Sequence, residues 1–217
     1  MKRTHVLVIL AILTIFVSVR RYFSLPRVVD RVRSSVVYVQ VQGVFGGRWT
    51  GSGVVLDNGL ILTAQHVIAD ANMVSVTFDD GCTVKSHEFF ISKDIDDVDL
   101  GLIIIDEADD HVNFALGTGL EIGDEVFAIG SPFGANNTVA TGIFSAHNRT
   151  IAGEVLHQLD ISGAPGSSGG PVFNRFGSVI GIVVRGNPYG MMYIVPLETC
   201  KAVVDVYENV QEAKEIN

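Results

Sequence analysis

The stretch SGAPGSSGGPVF, Ser162 to Phe173, sets three serines and four glycines directly before an apolar run. A Gly/Ser linker stays flexible, but this segment leads into PVF and then GSVIGIVV, which reads as strand. Glycines on both sides of Ser168 suit a tight turn that presents a serine oxygen beside converging backbone N–H groups. That is the chemistry of a nucleophilic serine. It needs a general base elsewhere in the chain, and a carboxylate to orient that base.

Six histidines are available, His5, His66, His87, His111, His147 and His157, and all precede Ser168. An α/β-hydrolase places its histidine after the nucleophile, so the literal G-x-S-x-G match at 166–170 is not that elbow. The order His, Asp, Ser remains open. His66 closes GLILTAQH, where an apolar strand breaks off, so its ring is expected to be held by the sheet yet face a cleft. Asp99 is the last acid before GLIII, whereas Asp94, Asp96 and Asp97 read as solvated turn acids. A buried carboxylate at 99 would orient the imidazole through one ring nitrogen and stabilise its protonated form.

Residues this far apart must be brought together by the elements between them. From Val36 onward the chain reads as short β runs broken by Gly, Asn and Asp, among them VVYVQVQGV, GSGVVLD, GLILTAQHV, MVSVTFDDG, EVFAIGS and SVIGIVV. Asp57-Asn58-Gly59 between two of them is a hairpin signal. Many short strands with few helical stretches predict an all-β sandwich or barrel. Only the ends look helical. The C-terminal LETCKAVVDVYENVQEAKEIN carries Val203, Val204, Val206, Tyr207 and Val210 near a 3.6-residue period and is expected to dock as a terminal helix.

Five blocks in order, GSGVVLDNGLILTAQHVI, DVDLGLIII, FAIGSPFGANNTVATGIFSA, GAPGSSGGPVFNRFGSVIGIV and YGMMYIVPLE, resemble the Deg/HtrA branch of the chymotrypsin-like serine proteases. The likeness covers roughly Val36 to Ala202. It implies a double six-stranded β-barrel with the active site between the barrels. It also implies that His66 is the general base, Asp99 its orienting acid and Ser168 the nucleophile, with the backbone N–H groups of Gly166 and Ser168 as the oxyanion hole. Extended or unfolded polypeptides are the substrates it implies, and a homotrimer is the expected assembly.

The chain departs from that pattern in three places. Ser167 precedes the nucleophile where family members often have Asn and zymogen-activated enzymes have Asp, so activation by a new N-terminus is not expected. Only 21 residues follow Pro196, too few for the PDZ domain that usually ends this family. Ser162 stands where trypsin-like members carry the acid that selects Lys or Arg. With Val183 and its neighbours in GIVVRG narrowing the pocket, small or medium aliphatic side chains are expected instead.

Residues 1–23 differ from the rest. VLVILAILTIFVSV, Val6 to Val19, is free of charge and bracketed by Lys2/Arg3 and Arg20/Arg21. As a helix it covers roughly 21 Å against a ~30 Å hydrocarbon core. It reads as a signal anchor holding an extracytoplasmic protease at the membrane, or as a cleaved signal of a secreted one. Residues 24–35 then form a linker or short helix, and 36–217 the protease domain. The net charge of −9 is uneven: residues 1–33 hold seven Lys/Arg against Asp30, leaving −15 on the remainder. A body that acidic repels phosphate backbones, so no nucleic-acid partner is expected. Cys82 and Cys200 could pair or be two separate thiols. No CxxC or Cys/His cluster points to a metal, and no cofactor is expected.

Three other readings compete with a general serine endopeptidase. A protease fold that has lost catalysis could bind peptides or act as a scaffold. A dedicated maturation protease would cut one partner or polyprotein. A non-enzymatic β-sandwich at a membrane would carry the serine turn by coincidence.

Overall fold

The computed structural model describes residues 3–56, 59–91, 98–105 and 120–215. Asp57, Asn58, Asp94, Asp96, Asp97 and His111 lie outside them, and with them the proposed hairpin turn. The chain opens with helices α1 (Arg3–Tyr22) and α2 (Leu25–Val32), followed by a short 3-10 turn at Arg33–Ser35. The first set of strands is β1 (Val36–Gly43), β2 (Arg48–Val55), β3 (Leu60–Thr63), β4 (Ala71–Thr77), β5 (Thr83–Ser86), β6 (Glu88–Ile91) and β7 (Gly101–Ile104). A one-turn helix α3 (Gln65–Ile68) interrupts it. These strands form one antiparallel sheet in the order β5-β4-β1-β2-β3-β7-β6.

The second set is β8 (Glu125–Gly130), β9 (Thr138–Ile151), β10 (Glu154–Leu159), β11 (Pro171–Asn174), β12 (Val179–Asn187) and β13 (Met191–Pro196). It closes into a six-stranded barrel in the order β10-β13-β12-β11-β8-β9. The fold is an all-β, chymotrypsin-like double barrel. Among the described residues the first sheet has seven strands where six were expected, because the run after Cys82 splits into β5 and β6 at His87. Closure removes the free edges of the second sheet.

Alternate residues of β4 are buried, whereas β3, β11 and the first part of β12 are buried at every position. Val37, Val39, Val54, Ile61, Leu62, Val74, Val76 and Leu102 are buried in the first barrel, and Phe144, Leu159, Val172, Val183 and Ile194 in the second. The helix α4 (Leu197–Glu215) leaves the second barrel and packs back on the first. Cys200 and Val203 are fully buried there, and Tyr207 meets Phe90 edge-on at 5.3 Å. The helical period read from the sequence marks this docked face, though Val210 remains exposed. Residues 24–35 are integral to the packing. Val28 and Val32 of α2 join Phe127, Ile129, Phe173 and Leu197 in a third apolar cluster, and Arg33 pairs with Asp79 at 3.0 Å.

Cys82 is exposed and Cys200 buried, and both are free thiols. The apolar N-terminal segment is helical, with Ile9, Ile12, Ile15, Phe16 and Val17 all exposed. Among the described residues, no helix is long and apolar enough to cross a membrane. The expected membrane-spanning segment is therefore present as a helix without the reach of a span.

Candidate active site

Antiparallel pairing brings His66 and Asp99 together. Strand β3 pairs with β7 so that Thr63 faces Gly101. The chain leaving β3 and the chain entering β7 therefore lie at the same end of the sheet. Ala64 turns out of β3 into α3, which carries His66, and Asp99 stands two residues before Gly101. His66 Nδ1 lies 2.7 Å from Asp99 Oδ2, and the His66 backbone N–H donates to Asp99 Oδ1 at 2.9 Å. With the Nδ1 hydrogen on the carboxylate, Nε2 is left as the proton acceptor.

The Asp99 side chain is 14% exposed and that of His66 48%. Burial pushes the Asp99 carboxyl up. The hydrogen bond and charge of His66, its backbone N–H and the Arg185 guanidinium outweigh burial and hold the carboxyl below its ordinary value.

Ser168 lies in the loop before β11. Its carbonyl accepts the Ser52 N–H of β2 at 2.8 Å. A side chain at Gly51 would strike Val67 at 2.7 Å and the Ser168 carbonyl at 3.2 Å, so the serine turn and the His66 helix converge on one strand. Among the described residues the Ser168 hydroxyl makes no hydrogen bond, to His66 or elsewhere.

The turn itself is held peptide by peptide. A trans peptide sets its N–H opposite its C=O, so a fixed carbonyl aims the amide beyond it. The Pro165 carbonyl accepts the Phe133 N–H at 2.8 Å, which aims the Gly166 N–H. The Ser167 carbonyl accepts the Gly170 N–H at 3.1 Å, which aims the Ser168 N–H. Neither the Gly166 nor the Ser168 amide donates to any of the described residues. Gly166 has φ +98°, and a side chain there would collide with the Ser131 carbonyl. Glycine at 169 answers a similar need, with φ +83° and Ser52 and Thr63 oxygens in the way of any Cβ.

Beside this turn is a cavity of about 150 Å³, bounded chiefly by Ile129, Ala140, Ser162, Ser167, Val183 and Met192. Ser162 and Val183 thus share one small, largely apolar hollow. Ser162 is exposed, so it meets the hollow from the rim. A second hollow of about 490 Å³ lies over the His66–Asp99 pair, walled by Gln65, Ala69, Glu154, Val184 and Arg185. Arg185, whose side chain is 41% exposed, binds Glu154 through Nη2 at 2.6 Å and Nε at 3.1 Å. A larger hollow of about 780 Å³, beside Val19, Phe23, Phe127 and Phe176, shares no residue with this region.

Of the other histidines, His87 Nδ1 is 2.8 Å from the Asn72 carbonyl, and His147 and His157 stack edge-on against Phe144. Among the described residues, no group of three His, Cys, Asp or Glu side chains is arranged to hold a metal. Sequence reasoning missed Ser52, Phe133 and Glu154 as neighbours of the site. Ser52 alone left a trace, as a polar residue in the otherwise apolar run GSGVVL.

A family model described as a trypsin-like peptidase domain matches residues 51–182, a range holding His66, Asp99, Gly166 and Ser168. A probable periplasmic serine endoprotease, DegP-like, of Halomonas elongata is 36% identical over 173 residues, 75% of this chain and 36% of that protein. The putative serine protease HhoA of Synechocystis is 36% identical over 167 residues, 70% of this chain and 41% of that protein. The chain thus spans roughly two fifths or less of the length of these curated relatives. A solved structure of the HtrA-type protease AlgW with tripeptide superimposes with a TM-score of 0.74 at 28% identity, covering 88% of this chain and 64% of that one.

Proposed function

The chain belongs to the trypsin-like peptidase family, with relatives of DegP and HtrA type, and from that membership we propose that it is a serine endopeptidase working through an acyl-enzyme. The observation that carries the proposal is the His66–Asp99 pair, with Nδ1 2.7 Å from the carboxylate. That contact fixes the ring so that Nε2 is free to take a proton. In this reading Ser168 Oγ attacks the scissile carbonyl while His66 removes its proton and later returns it to the leaving amine. The negative charge that develops on the carbonyl oxygen is met by the Gly166 and Ser168 N–H groups, which carry no other partner in the described chain. Asp99 balances the imidazolium.

An extended substrate would pair with β12. Its register with β11 ends at Ile182, Val183 bonds Gly169 and Gly170, and the Asn187 carbonyl takes the Gly163 N–H, which leaves Val184 to Gly186 as the stretch for an added strand. The residue before the cut would enter the hollow of Ser162 and Val183 and be aliphatic, since no carboxylate among the described residues borders it. Relatives named as periplasmic suggest an extracytoplasmic setting here too. The exposed apolar side chains of α1, flanked in sequence by Lys and Arg, suit attachment at a membrane surface. Assembly as a homotrimer is part of the same proposal and is read by light scattering.

The deciding experiment is labelling with a fluorophosphonate probe, with and without Ser168→Ala. Modification of the wild-type chain at Ser168 alone supports the activated serine, and an inert wild-type chain refutes it.

A further inference from the structure

We propose that Ser52, on the first barrel, is a positioning residue for the oxyanion-binding turn of the second. The inference rests on the serine-peptidase reading above. Ser52 is fully buried on β2. Its hydroxyl lies 2.8 Å from the Gly166 carbonyl and 2.9 Å from the Ser131 nitrogen. A backbone N–H can only donate, so the hydroxyl accepts from Ser131 and directs its single hydrogen to Gly166. The bond directions are therefore fixed without ambiguity.

That carbonyl belongs to the one peptide of the turn that lies between the two oxyanion donors. The Pro165 and Ser167 carbonyls on either side are held by Phe133 and Gly170 from within the second barrel. The Gly166 carbonyl has Ser52, a residue of the other barrel, as its partner. The Ser52 main chain adds two more ties. Its N–H donates to the Ser168 carbonyl at 2.8 Å, and its own carbonyl accepts the Thr63 hydroxyl at 2.7 Å, one residue before the chain turns toward His66. One residue thus ties the strand leading to the base, the turn carrying the nucleophile and the Ser131 loop that packs on Gly166.

Removing the hydroxyl leaves a buried C=O and a buried N–H without partners. Among the described residues the Gly166–Ser167 peptide then keeps just the hydrogen bond from its Ser167 N–H to the Ala164 carbonyl at 3.0 Å, and the Gly166 and Ser168 amides on either side lose part of their common aim. The substrate hollow and the extended-strand edge do not include Ser52. Loss is therefore expected where the oxyanion forms and not where substrate docks.

The test compares wild type, Ser52→Ala and Ser52→Cys on a peptide substrate with an aliphatic residue before the cut. Alongside it go a peptide boronate, which forms a tetrahedral adduct on the Ser168 oxygen, and a non-reacting product peptide. Ser52→Ala should lose on the order of tenfold to a hundredfold in kcat with KM within about twofold. Boronate affinity should fall by the same factor while product-peptide affinity holds. Ser52→Cys, keeping a weaker donor in place, should fall between. Unchanged kcat and boronate affinity in a folded Ser52→Ala would overturn the inference, as would a loss confined to KM and product binding. Should Ser52→Ala not fold, Ser52→Cys decides: reduced kcat at constant KM supports the role, and wild-type kcat overturns it. A wild-type chain that neither labels nor turns over refutes the peptidase reading itself, and this inference with it.

Discussion

Asp99 holds His66 twice, through the ring at 2.7 Å and through the backbone N–H at 2.9 Å. The carboxylate therefore fixes both the tautomer of the imidazole and the start of the helical turn that carries it. Asp99→Asn should retain the fold but reverse the ring's hydrogen-bond polarity, costing on the order of 10⁴-fold in kcat. Steady-state kinetics on a folded variant within tenfold of wild type would contradict this role.

The same pair sets a stability dependence at low pH. The folded Asp99 carboxyl titrates below its ordinary value, whereas the unfolded one titrates near ~3.9. Its contribution is therefore fully present above the unfolded value and is lost as pH falls through the folded one. Urea titrations from pH 6 down to pH 2 should show a shallower acid loss in Asp99→Asn than in wild type. Parallel curves would mean that the pair contributes nothing to acid stability.

His157 acts in the neighbouring window. Burial pushes its imidazole down and His147 adds to this, with Glu198 opposing. The unfolded chain, titrating near ~6.5, binds the proton more readily. Stability should decline as pH drops below that value, until the folded ring protonates as well. His157→Gln should flatten this part of the profile, read as the change in urea midpoint between pH 7 and pH 5. An unaltered midpoint shift would show that the ring does not govern it.

Ser168→Ala and His66→Ala should each remove several orders of magnitude of kcat. Ser167→Ala, whose hydroxyl makes no hydrogen bond among the described residues, should lose far less. Retained turnover in Ser168→Ala alongside an inactive Ser167→Ala would reassign the nucleophile.

Gly166→Ala places a Cβ against the Ser131 carbonyl at a φ of +98°. The strain is expected to cost about 1–3 kcal/mol of stability and to reduce kcat, because relief requires the Gly166 N–H to turn away. Thermal denaturation and kcat measured together check it, and a variant matching wild type in both would remove glycine's special role here.

Cleavage of a proteome-derived peptide library should show Val, Ala, Ile or Leu before the cut. Ser162→Asp at the rim of the hollow should raise the share of Lys and Arg. A wild-type profile dominated by Lys, Arg or Glu would refute the aliphatic pocket.

Much of this protein is legible in its sequence because the relevant signals are local. Period-two runs such as VVYVQVQ make strands wherever they fall, and glycines around Ser168 permit a turn whatever packs on it. The order His66, Asp99, Ser168 follows from the chain alone, and so does the helical period of the C-terminal segment. Sequence also marked the N-terminal apolar run, where fourteen uncharged residues were already short of a bilayer.

The remaining features depend on distances between residues far apart in the chain, which no local pattern encodes. Ser52 and Gly166 are 114 positions apart, and only the packing of one barrel on the other turns a strand serine into the partner of a turn carbonyl. Arg185 reads as a surface charge and is one, but its partner Glu154, 2.6 Å away on β10, is supplied by the packing of the strands. Cys82 and Cys200 could have paired on paper, but one is exposed and the other is buried on the docked face of α4. Val28 and Val32 look like part of a linker until Phe127 and Phe173 of the second barrel bury them. Residue types and turns come from short-range sterics, which sequence carries. The partner of each buried polar group comes from the closed three-dimensional packing, which must satisfy that group once water is excluded.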